Sequence, residues 1–199
     1  MNKPNNFDET QVGGDYTPIE VGGHHAVIVS VKEQKSSTGK DMVVVAIDFA
    51  KNDSQAGYFK KQFDADDRAD KKWSYQAVQY IVTEGADGKC TKSFKGFITS
   101  FENSNNTKTN WTTTADFCKQ FKNKKIGVVY GEVEEEYNGE VKTRRRIRWF
   151  CDDAKADSAA APEKKLLNTS SASAASSSAS AKKDDEFMKF EGSNDEIPF

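Results

Sequence analysis

Two stretches dense in β-branched residues lie near the beginning of the chain and predict two strands, at residues 25–31 and 42–49. The residues between them are polar and include a glycine. Such a loop is typical of a surface turn, but Lys35 and Lys40 also suit contacts with phosphate groups. The sequence leaves both interpretations open.

The clearest alternation of apolar and polar positions covers residues 126–137 and 140–150 and predicts a long β-hairpin. Asn138 and Gly139 separate the two runs and favour a type I′ turn, because both central residues of that turn need a positive φ. One face of the hairpin is expected to point into the core and carries Val128, Tyr130, Thr143, Ile147 and Trp149. The opposite face carries Val129, Gly131, Val133, Lys142, Arg144, Arg146 and Arg148.

The second face of the hairpin contains a basic stripe of four cations, Lys142, Arg144, Arg146 and Arg148. Cations at alternate strand positions, about 7 Å apart, suit a nucleic-acid backbone, and Gly131 leaves room for something to approach the sheet. Cross-strand ion pairs explain part of the same pattern, because Glu135 lies opposite Lys142 and Glu132 opposite Arg145. DNA contact and plain ion pairing both remain open.

Apolar residues three or four positions apart predict helices in the middle of the chain. A first helix is expected from the acidic residues 64–70 through Trp73 and Ile81 as far as Gly85. A second contains Phe94, Phe97, Ile98 and Phe101, and a third covers residues 114–121 behind a threonine. We interpret most of these rings as core.

Composition divides the chain into four parts. Residues 1–15 predict a flexible arm, and residues 16–153 hold most of the aromatic side chains and predict one folded domain. Residues 154–183 are rich in alanine and serine, so burial cannot compensate for the entropy of ordering them, and they predict a disordered linker. Residues 184–199 carry six acids and one lysine. Residues 1–183 therefore carry 28 basic and 25 acidic side chains, a net charge of +3.

The chain lacks a long apolar run and a signal-peptide pattern, which predicts a soluble, cytoplasmic protein without membrane contact. Cys90, Cys118 and Cys151 are widely spaced and are expected to be reduced, because they form neither a disulfide framework nor a zinc motif. The two histidines, His24 and His25, are adjacent, so on a strand they point to opposite faces. No catalytic motif accompanies them, and we expect no enzyme activity, cofactor or metal.

A single strand of nucleic acid is commonly held by a cationic groove with aromatic rings on which its bases stack. Beyond the basic stripe, two places in the chain combine a ring with cations or lie in polar surroundings. One place consists of Lys51, Tyr58, Phe59, Lys60 and Lys61, and the other is Trp111. Core packing is the competing explanation for each of these rings.

The chain ends in Asp195, Glu196, Ile197, Pro198 and Phe199. Acids that steer, two apolar anchors and a terminal carboxylate are features by which a short peptide docks on a basic pocket of a partner protein. This ending, behind a low-complexity segment, resembles the tip of bacterial single-stranded DNA-binding proteins. The resemblance implies an OB-fold body, binding of single-stranded DNA, and recruitment of replication, recombination and repair enzymes by the tip.

The beginning of the domain, from Tyr16 through Gly22 and Gly23 to residues 38–42, is similar to early proteins of bacteriophage replication modules. The usual bacterial N-terminal strand motifs are missing. The two resemblances together imply a phage-type single-stranded DNA-binding protein that acts in the host cytoplasm, with a homo-oligomer left open. The expected fold class is β-rich α+β, an OB-fold-like small β-barrel with inserted or appended helices, followed by a disordered C-terminal tail.

Two other functions compete with this one. A protein-interaction adaptor without DNA binding would use the tip alone. A metal-dependent nuclease would have to rest on acids, for instance the group Asp64, Asp66, Asp67 and Asp70, which we interpret instead as the start of a helix.

Overall fold

The structure is a computed structural model that describes residues 17–111 and 113–167, together with Lys3 and Asn5. Its strands are β1 (Gly22–Lys35), β2 (Asp41–Phe49), β3 (Val78–Val82), β4 (Lys125–Tyr137) and β5 (Glu140–Cys151). Its α-helices are α1 (Tyr58–Asp64), α2 (Lys92–Asn105) and α3 (Thr114–Lys119). Two 3₁₀ helices, Tyr75–Ala77 and Asp153–Ser158, precede β3 and follow β5.

The five strands form one antiparallel sheet in the order β3-β2-β1-β4-β5. The central strand β1 pairs with β4 through residues 22–27 and with β2 through residues 26–35. A shift in register between Ile28 and Ser30 marks a bulge in β1 just after the part paired with β4 ends. The strands predicted at residues 25–31 and 42–49 are confirmed by β1 and β2.

The edge strands β3 and β5 do not pair with each other, so the sheet is not closed in the described part of the chain. The 3₁₀ helix Tyr75–Ala77 lies between the two edges. The hydroxyl of Tyr130 on β4 donates to the carbonyl of Gln76 at 2.9 Å, and the Gln76 amide donates to the carbonyl of Arg145 on β5 at 3.2 Å. The fold is therefore β-rich α+β, as predicted, with an open sheet instead of a closed barrel.

Aromatic side chains dominate the core. Tyr130 is fully buried, and its ring lies 5.5 Å from Phe49 and 6.4 Å from Phe59. A second group of rings joins the helices to the sheet, where Phe97 of α2 lies 5.1 Å from Phe150 of β5 and 5.3 Å from Phe121. Because α2 contacts both edge strands, it helps to hold them together. The interpretation of these rings as core is confirmed.

The helix predicted from the acids at 64–70 to Gly85 is wrong. α1 ends at Asp64, and residues 78–82 form β3, which pairs with residues 42–46 of β2. β-branched side chains at Val78, Ile81 and Val82 suit a strand, and pairing with the buried β2 outweighs an incidental helical spacing. α2 and α3 confirm the other two predicted helices, and no helix in residues 17–111 and 113–167 is long and apolar enough to cross a membrane.

The predicted hairpin is confirmed by β4 and β5, and Asn138 and Gly139 both adopt positive φ, at 54° and 79°. The predicted register holds from the turn as far as Tyr130 opposite Ile147. A bulge then intervenes, and Trp149 lies opposite Val129. The expectation that Trp149 points into the core is therefore wrong, because the extra residue reverses the alternation, and Trp149 is 45% exposed.

The chain after β5 turns back over the sheet and forms a segment that we call the strap, residues 153–167. Its 3₁₀ helix contacts β1 and β4, and its later part pairs in parallel with β4 at Lys165 and Val133. The predicted linker beginning at residue 154 is thus corrected, since residues 154–167 lie against the folded domain. Backbone hydrogen bonds and one deeply buried alanine, Ala156, hold a segment whose composition alone predicts no order.

Glycines on β1 and β4 make room for the strap. A Cβ atom on Gly23 would lie 2.0 Å from the carbonyl oxygen of Ala156, and one on Gly131 would lie 2.5 Å from Cγ of Pro162. The register places Gly23 opposite Val129, two residues from Gly131, so both glycines belong to one face of the sheet. The room predicted at Gly131 is therefore occupied by the protein's own strap.

His25 fastens the strap to β1. Its Nδ1 atom lies 2.8 Å from a carboxylate oxygen of Asp153, and its Nε2 atom lies 3.1 Å from one of Asp157. Both partners are carboxylates, so the doubly protonated ring is the form that can donate to both of them. Burial disfavours this charge, but the hydrogen bonds to the two carboxylates outweigh it and raise the pKa of His25.

His24 points to the opposite face, as predicted, and is buried against the ring of Phe49, with ring centroids 4.3 Å apart. Its Nδ1 atom lies 3.1 Å from the Asp53 carboxylate, and its Nε2 atom donates to the Glu20 carbonyl at 3.0 Å. Burial opposes the charge of His24, but these bonds outweigh it and raise its pKa. Burial favours a higher pKa for Asp53, but its hydrogen bond with His24 contributes to a lowered pKa.

Gly23→Ala should destabilise the protein by about 1–3 kcal/mol, because the added methyl group displaces the strap from β1. The matched control is Gly96→Ala in α2, where a Cβ meets nothing within 4 Å and the substitution should stabilise by about 0.5–1 kcal/mol. Urea unfolding of both variants measures the difference. Equal stability of the two variants would contradict the placement of the strap.

The free energy of unfolding should fall as the pH rises above neutrality. The folded-state pKa values of His24 and His25 are raised, so their contribution is complete below the unfolded value of about 6.5 and is lost as the pH rises through the folded values. Urea unfolding at a series of pH values measures this slope. His25→Gln should flatten it, and an unchanged slope in that variant would show that folding does not raise the pKa of His25.

Candidate nucleic-acid interface

A groove of about 560 Å³ lies between the edge strands β3 and β5. Its walls are formed by Tyr75, Val78, Gln79, Tyr80, Val133, Arg146, Ile147, Arg148 and Lys165. These residues come from three separate parts of the chain, namely the approach to β3 and β3 itself, the hairpin, and the strap. The groove exists because the two edges approach each other without pairing.

Arg146 is fixed in this groove by contacts on two sides. Its Nε and Nη2 atoms donate to the Glu135 carboxylate at 2.6 and 2.9 Å. Its Nη1 atom donates to the carbonyl of Tyr75 at 3.3 Å, and its guanidinium carbon lies 4.2 Å from the centre of the Tyr75 ring. The result is a cation–π pair whose ring is 37% exposed, a flat apolar surface beside a positive charge.

Two more cations and a second ring line the same groove. Arg148 donates from Nη1 to the carbonyl of Glu163 in the strap at 3.1 Å. The Lys165 side chain is exposed and forms no ion pair with any residue in the described ranges. Tyr80 of β3 is 49% exposed. The groove therefore combines three cations with two accessible rings, and one of the cations, Arg146, is bound to Glu135.

The rest of the predicted basic stripe lies outside the groove, towards the hairpin turn. Lys142 pairs with Glu140 at 2.9 Å and lies 5.7 Å above the ring of Tyr137. Arg144 is half-buried opposite Val133, and its side chain has no ion-pair partner among the described residues. The predicted cross-strand pair of Glu132 with Arg145 is present at 3.9 Å, and Arg145 also donates to the carbonyl of Ile19. Glu135 lies opposite Lys142 in the register, as predicted, but its carboxylate binds Arg146.

The lysines predicted in the loop between β1 and β2 are exposed at the end of that hairpin. Lys35 forms an ion pair with Asp41 at 2.6 Å, and Lys40 lies in the turn, where its backbone donates to the Ser36 hydroxyl at 3.0 Å. A hydrogen-bonded turn is what the plain interpretation expects. Neither lysine lines the groove.

The candidates around α1 are divided by their burial. Phe59 is completely buried against Phe49 and Tyr130, so its prediction as a base-stacking ring is wrong. The hydroxyl of Tyr58 donates to the carbonyl of Thr17 at 2.8 Å. The three cations near these rings lie at the surface, with Lys60 paired to Asp64 at 2.6 Å and Lys51 and Lys61 exposed. None of these residues lines the groove.

Trp111 is 63% exposed, and one face of its ring stacks on Phe117 at 5.2 Å. It belongs to neither wall of the groove. The exposed indole fits the prediction that this polar stretch has little to bury it. Trp149 is the other exposed indole in the described ranges, and it follows Arg148 directly.

Sequence reasoning missed Tyr75, Tyr80 and Lys165. The sequence predicts a helix for the first two and a linker for Lys165. The β-branched residues at 78, 81 and 82 were a signal for the strand that carries Tyr80. No local pattern marks Lys165, because its position depends on backbone pairing with β4. The predicted docking residues Asp195, Glu196, Ile197, Pro198 and Phe199 lie outside the described residues.

The described part of the chain contains no cluster of three or more histidine, cysteine, aspartate or glutamate residues that could hold a metal ion. Two of the four acids considered for a nuclease have other partners: Asp64 pairs with Lys60, and Arg68 binds Asp66 through two nitrogens and holds the pKa of that carboxyl at about 2. Cys90, Cys118 and Cys151 are free, and Cys90 is exposed. No protein-family model matches the sequence, and no curated protein matches it.

Proposed function

We propose that the protein binds single-stranded DNA in the groove between β3 and β5 and recruits a partner enzyme through its last five residues. The observation that carries the proposal is the placement of two exposed rings, Tyr75 and Tyr80, beside Arg146 and Arg148. Bases stack on aromatic faces and phosphates pair with cations, and neither contact depends on base identity. The groove therefore suits a single strand of any sequence.

The strand order supports an OB-type barrel as the fold behind this function. β1 pairs with both β2 and β4, and α2 follows β3 and precedes β4 in the chain. An OB-fold is a five-stranded, partly open Greek-key barrel that binds oligonucleotides on strands 2 and 3 and on the loops between strands 1 and 2 and between strands 4 and 5. The groove borders β3, Lys40 lies in the first of these loops, and Lys142 lies beside the second.

The C-terminal tip supports the second half of the proposal. Its acids, its apolar anchors and its terminal carboxylate resemble the ending of bacterial single-stranded DNA-binding proteins. Coating of single-stranded DNA and delivery of replication, recombination or repair enzymes are the functions that this combination would serve in a phage-infected bacterial cell. A homo-oligomer remains compatible with this role.

The protein-interaction adaptor is the strongest competitor. It is favoured by the ion pairs that occupy Lys142 and Arg146, since a solvated hairpin gains such pairs without any DNA. The adaptor hypothesis gives no reason for Tyr80 to be exposed in the same groove as Arg148. The two hypotheses differ in what substitutions in the groove do.

Tyr75→Ala and Arg146→Gln should both weaken binding of the full chain to a fluorescent oligothymidylate, measured by anisotropy over a range of salt concentrations. Tyr75→Ala should lose one stacked base, which costs roughly 1–3 kcal/mol, a fall in affinity of about 5- to 150-fold. It should leave the salt dependence of binding unchanged. Loss of one phosphate contact should instead reduce the slope of log K against log salt by about 0.7. The two variants are thus separated by their salt dependence.

Two controls accompany this experiment. Tyr75→Phe keeps the ring and should keep the affinity. Lys108→Gln removes a surface cation that is paired with a glutamate at 3.0 Å, as Arg146 is, but lies outside the groove, and it should have little effect. Binding that is insensitive to both groove variants would exclude this groove, and absence of any binding at low salt would favour the adaptor.

A labelled peptide of residues 190–199 should bind a bacterial replication or repair enzyme that recognises the tip of bacterial single-stranded DNA-binding proteins. The same peptide without Phe199 should not bind, because it lacks the apolar anchor and displaces the terminal carboxylate. In the full chain, deletion of Pro198 and Phe199 should leave DNA affinity equal or slightly higher. Equal binding of the two peptides would reduce the tip to a solubilising tail.

A further inference from the structure

We infer that Lys165 of the strap is a phosphate-binding residue of the groove and that the strap forms part of its wall. This inference rests on the proposed binding of single-stranded DNA in that groove. Lys165 lies 14 residues beyond the end of β5 at Cys151, in a stretch whose composition predicts only a linker. Its role follows from the backbone that carries it and from the direction of its side chain.

Backbone hydrogen bonds fix the position of Lys165. Its N–H group donates to the Glu132 carbonyl at 2.9 Å, and its carbonyl accepts from the Glu134 N–H group at 2.8 Å. β1 pairs with β4 only as far as Tyr130, so residues beyond it have a free edge for the strap. The strap thus extends the sheet beside β4, and the residue that does so is held independently of its own side chain.

Neighbouring side chains of this extended segment divide between two surroundings. Lys164 pairs with Glu134 at 2.8 Å, whereas Lys165 lines the groove together with Val133 and Arg148. Adjacent residues of an extended chain point to opposite sides, which explains the division. The charge of Lys164 is therefore taken up by an ion pair, and the charge of Lys165 is available to a ligand.

The strap also positions a second cation of the groove. Arg148 donates to the carbonyl of Glu163, two residues before Lys165, and its Cγ lies near the space above Gly131 that Pro162 occupies. Arg146 approaches the same groove from β5 and is already bound to Glu135. Arg146 and Arg148 would have to give up these contacts to bind a phosphate, whereas the Lys165 side chain has no ion-pair partner among the described residues. The contribution of Lys165 to affinity should therefore be the easiest to measure.

The test compares Lys165→Gln with the matched control Lys164→Gln in the full chain. Lys165→Gln should lower affinity for oligothymidylate about eightfold near 50 mM monovalent salt and reduce the salt slope by about 0.7, the loss of one phosphate contact. Lys164→Gln removes the same charge from the adjacent residue and should change affinity less than about twofold, since Lys164 does not line the groove and a partly exposed ion pair contributes little. Circular dichroism checks that both variants fold.

A double-mutant cycle with Gly131→Ala tests whether the strap delivers Lys165. The alanine Cβ would clash with Pro162, so the strap should leave the sheet, and Lys165→Gln should then have less than a twofold further effect. Equal effects of Lys164→Gln and Lys165→Gln, alongside a clear loss in Arg146→Gln, would overturn this inference and leave the proposed function standing. Absence of DNA binding by the unaltered chain would overturn both.

Discussion

The hydrogen bond from the Tyr130 hydroxyl on β4 to the Gln76 carbonyl ties the residues just before edge strand β3 to the opposite side of the open sheet. Tyr130 is fully buried, and burial raises the pKa of its hydroxyl well above the ordinary value, so the group stays neutral and needs a partner. Its partner lies in the 3₁₀ helix before β3, which Gln76 also links to β5. Tyr75 therefore meets Arg146 because a core residue fixes the neighbouring peptide.

The strap depends on a different constraint, which is the absence of side chains. Gly23 and Gly131 leave one face of β1 and β4 bare, and the backbone at Ala156 and the ring of Pro162 fill that space. Val129 is consequently buried although it lies on the face away from the main core. The strap is held by backbone hydrogen bonds and by the charged contacts of His25. The apolar content of its sequence therefore does not predict that it is ordered.

Elements with local causes could be predicted from the sequence, and elements that depend on distant partners could not. The hairpin follows from alternation and from Asn138 and Gly139, and α2 follows from its phenylalanine spacing. β3 was assigned to a helix because its identity comes from pairing with β2. The groove was found only in part, because Arg146 and Arg148 lie on the predicted stripe, whereas Tyr75 and Lys165 reach it through tertiary contacts.

The bulge in β5 has a consequence for how substitutions are tolerated along that strand. Just before the bulge Arg146 lines the groove and Ile147 is buried, whereas after it Trp149 is exposed and Phe150 is buried. Polar replacements should therefore be accepted at position 146 before the bulge and at position 149 after it. The alternation of inward and outward side chains along β5 is reversed at Arg148. A single-residue insertion or deletion there would therefore exchange core and surface positions for the residues up to Cys151.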